Sequence, residues 1–140
     1  MLTKYIIEAI QDGYSSDYLS LLHNYGLWAR YFGAVGYLHP GLAHEDYIID
    51  DDSGLIIDRA MQMLKNANFR AFKLLEYYYS RGWDEGDILS VICTNKGALE
   101  LNLSRDELRT LRKAHDHHIQ TLIVRAEKQL LVYLEDMENA

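Results

Sequence analysis

The chain has 140 residues, about half apolar and a quarter charged, which fits one globular domain with one modest core and excludes a disordered or fibrous chain. Its net charge of −7 excludes indiscriminate coating of nucleic acid, so any DNA contact must come from a local basic patch. Cys93 has no partner for an internal disulfide, the apolar runs are far too short to span a bilayer, and the first segment is amphipathic rather than a signal sequence; the expectation is a cytoplasmic protein with no membrane partner.

Between Met1 and Gln11, Leu2, Tyr5, Ile6, Ala9 and Ile10 are interrupted by Lys4 and Glu8 at amphipathic spacing. From Ser16 to Phe32 the apolar positions Leu19, Leu22, Leu27, Trp28 and Phe32 predict a second helix, with Ser15, Ser16 or Asp17 available as its cap. Gly33, Gly36, Pro40 and Gly41 predict a loop. The acidic stretch Glu45, Asp46, Asp50, Asp51 and Asp52 follows, and Asp52 or Ser53 can cap a helix over Leu55 to Lys65 that buries Leu55, Ile56, Ala60, Met61 and Leu64.

Asn66 or Asn68 can end that helix and begin another from Phe69 to Arg81, which Gly82 stops in the left-handed region. Tyr77, Tyr78 and Tyr79 spread around the helix and cannot form one platform for stacking bases, so core packing with hydroxyls at the rim is their expected role. Asp84 caps a short helix carrying Ile88, Leu89, Val91 and Ile92, and the pattern then weakens from Asn95 to Asn102. Ser104 and Glu107 have the spacing of a capping box. Beyond them Leu108, Leu111, Ile119, Leu122, Ala126, Leu130, Tyr133, Leu134 and Met137 keep a helical period with no glycine or proline to the end. The expectation is an all-α, single helical domain over 1–140, with an elongated helix-turn-helix over 69–115 and a long terminal helix over 104–138. Such a helix would be roughly 50 Å long, longer than so small a domain can cover.

No phosphate loop, dinucleotide glycine pattern, nucleophile elbow or His-Glu-x-x-His is present, so neither an enzyme nor a cofactor is expected. His115 and His118 share a helix face beside His117, but no spacing specifies further ligands, and Asp50 to Asp52 lack the glycine and distant glutamate of a calcium loop; no metal is expected. The basic residues after Ser104 are more informative. Between Ser104 and Lys128 six basic residues oppose four acidic ones in an otherwise acidic chain. Ser104, Arg105, Arg109, Arg112 and Lys113 are therefore the candidate DNA-binding residues, because arginines near a helix start can reach guanine edges and free amides can meet a phosphate. The plainer alternative is an ordinary charged helix face.

The segment Tyr25-Gly26-Leu27-Trp28-Ala29-Arg30, the run Asp50-Asp51-Asp52-Ser53-Gly54-Leu55-Ile56-Ile57-Asp58, and Leu74-Leu75-Glu76-Tyr77-Tyr78-Tyr79-Ser80-Arg81-Gly82 together resemble the phage antitermination Q proteins of the smaller, zinc-free type, which carry a sigma-region-4-like helix-turn-helix. The likeness runs from about Tyr25 to the last helix. It implies a regulator of late phage genes in the host bacterial cytoplasm, which binds double-stranded promoter-proximal DNA and the paused host RNA polymerase with its sigma factor. Such a regulator travels with the polymerase past terminators. It also implies that Asp84 to Ile92 support a recognition helix over Ser104 to Lys113, and it leaves room for two copies as a homodimer or paired on DNA. The connector from Cys93 to Leu103 is about three times the usual turn. The acidic balance and overlong terminal helix also fit a second function, a phage-encoded protein-interaction module that inhibits a host nucleic-acid-binding complex.

Overall fold

A computed structural model describes residues 2–35, 49–114 and 116–139. Of the expected glycine and proline loop, Gly33 instead continues a helix that runs to Val35, while Gly36, Pro40 and Gly41, with Glu45 and Asp46, and His115 lie outside the described residues. The described chain is helical throughout, in line with the all-α expectation, and none of its helices is long and apolar enough to cross a membrane.

Helix α1 (Lys4–Gln11) buries Ile6, Ala9 and Ile10 at helical spacing. Gly13, at φ +69°, turns the chain toward α2 (Ser16–Val35). Ser15 caps α2 through a bond from the Tyr18 amide at 3.4 Å. The buried stripe of α2 is Tyr18, Leu21, Leu22, Tyr25 and Trp28, while Leu19 and Leu27 are only half-buried. Tyrosines thus occupy core positions that an aliphatic count assigns to leucines, because their rings are apolar and their hydroxyls find partners inside.

Helix α3 (Asp51–Ala67) is capped by Asp50, whose carboxylate accepts the Ser53 amide at 2.8 Å. The expected caps, Asp52 and Ser53, lie inside the helix instead; Ser53 is buried and shares a 2.7 Å hydrogen bond with Thr3. The Trp28 indole donates to Asp51 at 2.9 Å, and the Tyr25 hydroxyl donates to Asp58 at 3.2 Å. The Trp28 ring lies over Gly54, where a methyl group would overlap it. The Tyr25-to-Arg30 segment and the Asp50-to-Asp58 run are therefore each other's packing partners.

Asn68 has non-helical backbone angles and begins α4 (Phe69–Leu75) by accepting the Ala71 amide. The expected single helix to Arg81 widens into a π turn (Glu76–Ser80) before Gly82 ends it at φ +71°. The π turn rotates Tyr77 and Tyr79 both inward, with Tyr78 half-buried. Gly26 of α2 lies directly against the Tyr79 carbonyl, leaving no room for a side chain.

Asp84 and Asp87 form a capping box at the start of α5 (Glu85–Ile92). The stretch read as connector holds α6 (Asn95–Glu100), capped by Thr94 through the Gly97 amide at 3.0 Å. Gly97 presses on the Val91 carbonyl and the Ile92 Cα of α5. Asn102, at φ +54°, closes α6, a conformation asparagine tolerates better than most residues. The terminal helix expected over 104–138 is two helices, α7 (Arg105–Arg112) and α8 (Asp116–Asn139). The apolar phase continues across the break, so periodicity cannot reveal it; the break lets α7 lie beside α4 while α8 packs on α1, α3, α4 and α5. Helix α8, about 36 Å long by its residue count, is thus a central element of the body, burying Ile119, Ile123, Ala126, Leu130, Leu131 and Leu134.

Candidate nucleic-acid interface

Helix α7 is strongly amphipathic, with Leu111 buried and Leu108 half-buried on one side. Arg105, Arg109 and Arg112 recur at i, i+4 and i+7, so they line one exposed side. Lys113 caps the C-terminal end and is also exposed. Basic side chains in the last turn are stabilised by the negative end of the helix dipole. Arg112 reaches back to the Cys93 carbonyl at 3.5 Å, at the end of α5.

Ser104 has a different role from the arginines. Its hydroxyl accepts the Glu107 amide at 3.1 Å, while its own amide donates to Glu107 Oε1 at 3.0 Å. The capping box is thus formed, and it uses amides that a phosphate would otherwise meet. Asp106 and Glu107 also place negative charge in the first turn. The anion-attracting part of α7 is accordingly its arginine side and C-terminal half rather than its N-terminal amides.

The residue that the sequence reading missed is Arg70 of α4. Its Nε donates to the Leu101 carbonyl at 3.0 Å and its Nη2 to the Asn102 carbonyl at 2.6 Å, filling the end of α6. The same guanidinium pairs with both carboxylate oxygens of Glu107, Nη1 with Oε2 and Nη2 with Oε1 at 3.1 Å. This bidentate pairing fixes direction as well as distance. Together with the Ser104 bonds, the Arg70 hydrogen bond holds the Glu107 carboxyl well below its ordinary range, at about 2. A signal was present in the sequence: an arginine two residues after the Asn68 cap stands at the positive end of a helix dipole, where a cation is mildly disfavoured and an acidic partner offsets the cost.

Lys73, one turn further along α4, is buried and pairs with Glu100 of α6 at 2.7 Å and with Glu76 at 3.0 Å. Its ammonium also stands 4.8 Å from the centre of the Tyr77 ring. Helix α4 therefore holds α6 through Lys73 and the turn into α7 through Arg70. Between α4, α7 and α8 lies a groove of about 620 Å³ lined by residues including Leu74, Leu103, Leu111 and Leu122. Helix α7 buries Leu111 and is tied to α4 by the Arg70–Glu107 pair and to the end of α5 by Arg112.

The five residues expected at DNA do not act alike: Arg105, Arg109, Arg112 and Lys113 are exposed on α7, whereas the Ser104 hydroxyl is engaged in the cap. His117 and His118 are exposed on α8, and no group of three metal-ligating side chains occurs among the described residues. Compared with known proteins, the chain matches no family model, no curated protein sequence and no solved structure.

Proposed function

We propose that this protein is a DNA-binding transcription antitermination factor, which reads promoter-proximal duplex through α7 and acts on RNA polymerase holoenzyme. The observation that carries the reading is the exposed line of Arg105, Arg109 and Arg112 on a helix clipped to the body by Arg70. An arginine fork is the side chain best matched to guanine O6 and N7 in a major groove, and a recognition helix must hold such forks at fixed orientation to discriminate sequence. The succession of α5, α6 and α7 supports the same reading, with α5 and α6, which pack on each other, as supporting helices before α7. The antitermination part rests on the resemblance of the Tyr25, Asp50 and Leu74 segments to the Q proteins.

Electrophoretic mobility shift with the region around the protein's own late promoter tests it, at two salt concentrations and with and without polymerase holoenzyme. The expected result is a discrete complex that survives competition by unrelated duplex and weakens as salt rises. Absence of any sequence-selective complex, with polymerase present as well, would sink the proposal.

A further inference from the structure

A second cleft, of about 670 Å³, opens between α2, the π turn with its following loop, and α8, and shares no residue with α7. Its volume is in the range of small-molecule sites. At its floor lies Glu127, only 4% exposed. The Tyr14 hydroxyl donates to Glu127 Oε1 at 2.7 Å and the Tyr79 hydroxyl to Oε2, while the Tyr18 hydroxyl donates to the Glu127 carbonyl at 2.6 Å. Burial first, then the Glu127 carboxylate, pushes the Tyr14 and Tyr79 phenols above their ordinary range, so both remain protonated donors. Among the described residues, no cationic side chain lies within ion-pairing distance of Glu127.

We propose that this cleft binds a small organic ammonium ion, an alkyl monoamine or diamine, with its cationic head on Glu127. The side-chain partners of the Glu127 carboxyl are two neutral phenol donors, and an ammonium is the charged donor that complements a carboxyl group so placed. Each phenol takes one acceptor position, and a carboxylate offers about four, so room remains for an ammonium. Tyr14, Tyr78, Tyr79 and Trp83 line the cleft and can cover an alkyl chain. The Lys128 ammonium stands 5.3 Å from the centre of the Tyr14 ring and the Arg81 guanidinium 5.2 Å from that of Trp83, so Tyr78 and Tyr79 are the rings left to face a ligand cation. Asp84 and Glu85 add negative charge at the mouth. Arg30 and His23 at the rim, with Lys128 and Arg81 over the Tyr14 and Trp83 rings, are the cationic or ionisable groups around the cleft; all four are exposed and screened by water, whereas the Glu127 carboxyl at the floor is buried. The π turn that brings Tyr79 inward is itself a distortion often found at functional sites.

Isothermal titration of the full chain with 1,4-diaminobutane and with n-butylamine tests this, alongside 1-butanol and inorganic phosphate. Trp83 fluorescence supplies a parallel local readout. The expected result is saturable binding of one or both amines and none of the alcohol or phosphate. Affinity should be at least about tenfold weaker in Glu127→Gln. Tyr14→Phe, which keeps the ring and frees an acceptor position on Glu127, should strengthen it several-fold, and it tests the site even if Glu127→Gln does not fold. Failure of both amines to bind, saturable binding of phosphate or 1-butanol in their place, or unchanged amine affinity in folded variants overturns the proposal.

Discussion

Arg70 carries more of the proposed interface than its place outside α7 suggests. It bonds to the Leu101 and Asn102 carbonyls and to Glu107, so one guanidinium joins the end of α6 to the start of α7. Replacing Arg70 with Ala should lower DNA affinity several-fold although Arg70 is not itself one of the proposed DNA contacts. Hydrogen exchange should then accelerate in α7 and not in α8. An Arg70→Ala protein with unchanged exchange in α7 would remove its positioning role. The partner Glu107 gives a pH test. Its carboxyl lies at about 2 in the folded chain against an ordinary 4.5. A depressed carboxyl stabilises the folded state above its unfolded value and loses that contribution as pH falls through its folded value. Unfolding midpoints should therefore fall between about pH 4.5 and 2 by more in the native chain than in Glu107→Gln, as thermal denaturation across that window would read. Of the candidate residues, the arginines of α7 could be found from sequence because spacing on one helix defines a face. Arg70 could not be assigned that way, since its partners are 31 to 37 positions away.

At the scale of elements, local chemistry revealed helix starts far better than helix ends. The Ser104 box and the Asp84 cap form as expected because both depend on side chains within three residues. No local residue announces the break after Arg112 or the π turn after Leu75; the π turn accompanies the inward placement of Tyr77 and Tyr79. Helix α6 was hidden for a related reason. Its six residues carry Gly97, which reads as a helix breaker but is required where α6 meets the Val91 carbonyl. Gly97→Ala should consequently destabilise the protein by about 1–3 kcal/mol, the usual range for overpacking, despite alanine's higher helix propensity. Chemical denaturation checks this; an unchanged or raised midpoint would mean that α5 and α6 do not cross this closely.

The chain is acidic overall, at a net charge of −7, and the exposed basic side chains of α7 form a local patch, so its proposed DNA contact must be both local and dependent on salt. Four exposed basic side chains from Arg105 to Lys113 can neutralise up to four phosphates. Because an arginine that forks a guanine is not a phosphate contact, the logarithm of the binding constant should fall with the logarithm of salt with a slope no steeper than about −4. A slope near −8 would implicate basic groups far beyond α7. Within the body, the segments Tyr25 to Arg30 and Asp50 to Asp58 bond to one another, which assigns them to the scaffold; the proposed DNA contact lies elsewhere, on α7. The most direct test is selection of bound duplexes from a random library, followed by anisotropy titration of the enriched sequence with the native chain and with Arg109→Ala/Arg112→Ala. The account predicts enrichment of a defined site, tight binding by the native chain, and a loss of about 1–3 kcal/mol for each arginine with the melting temperature kept. No enrichment in the presence or absence of polymerase, or equal affinity of the folded double variant, would contradict it.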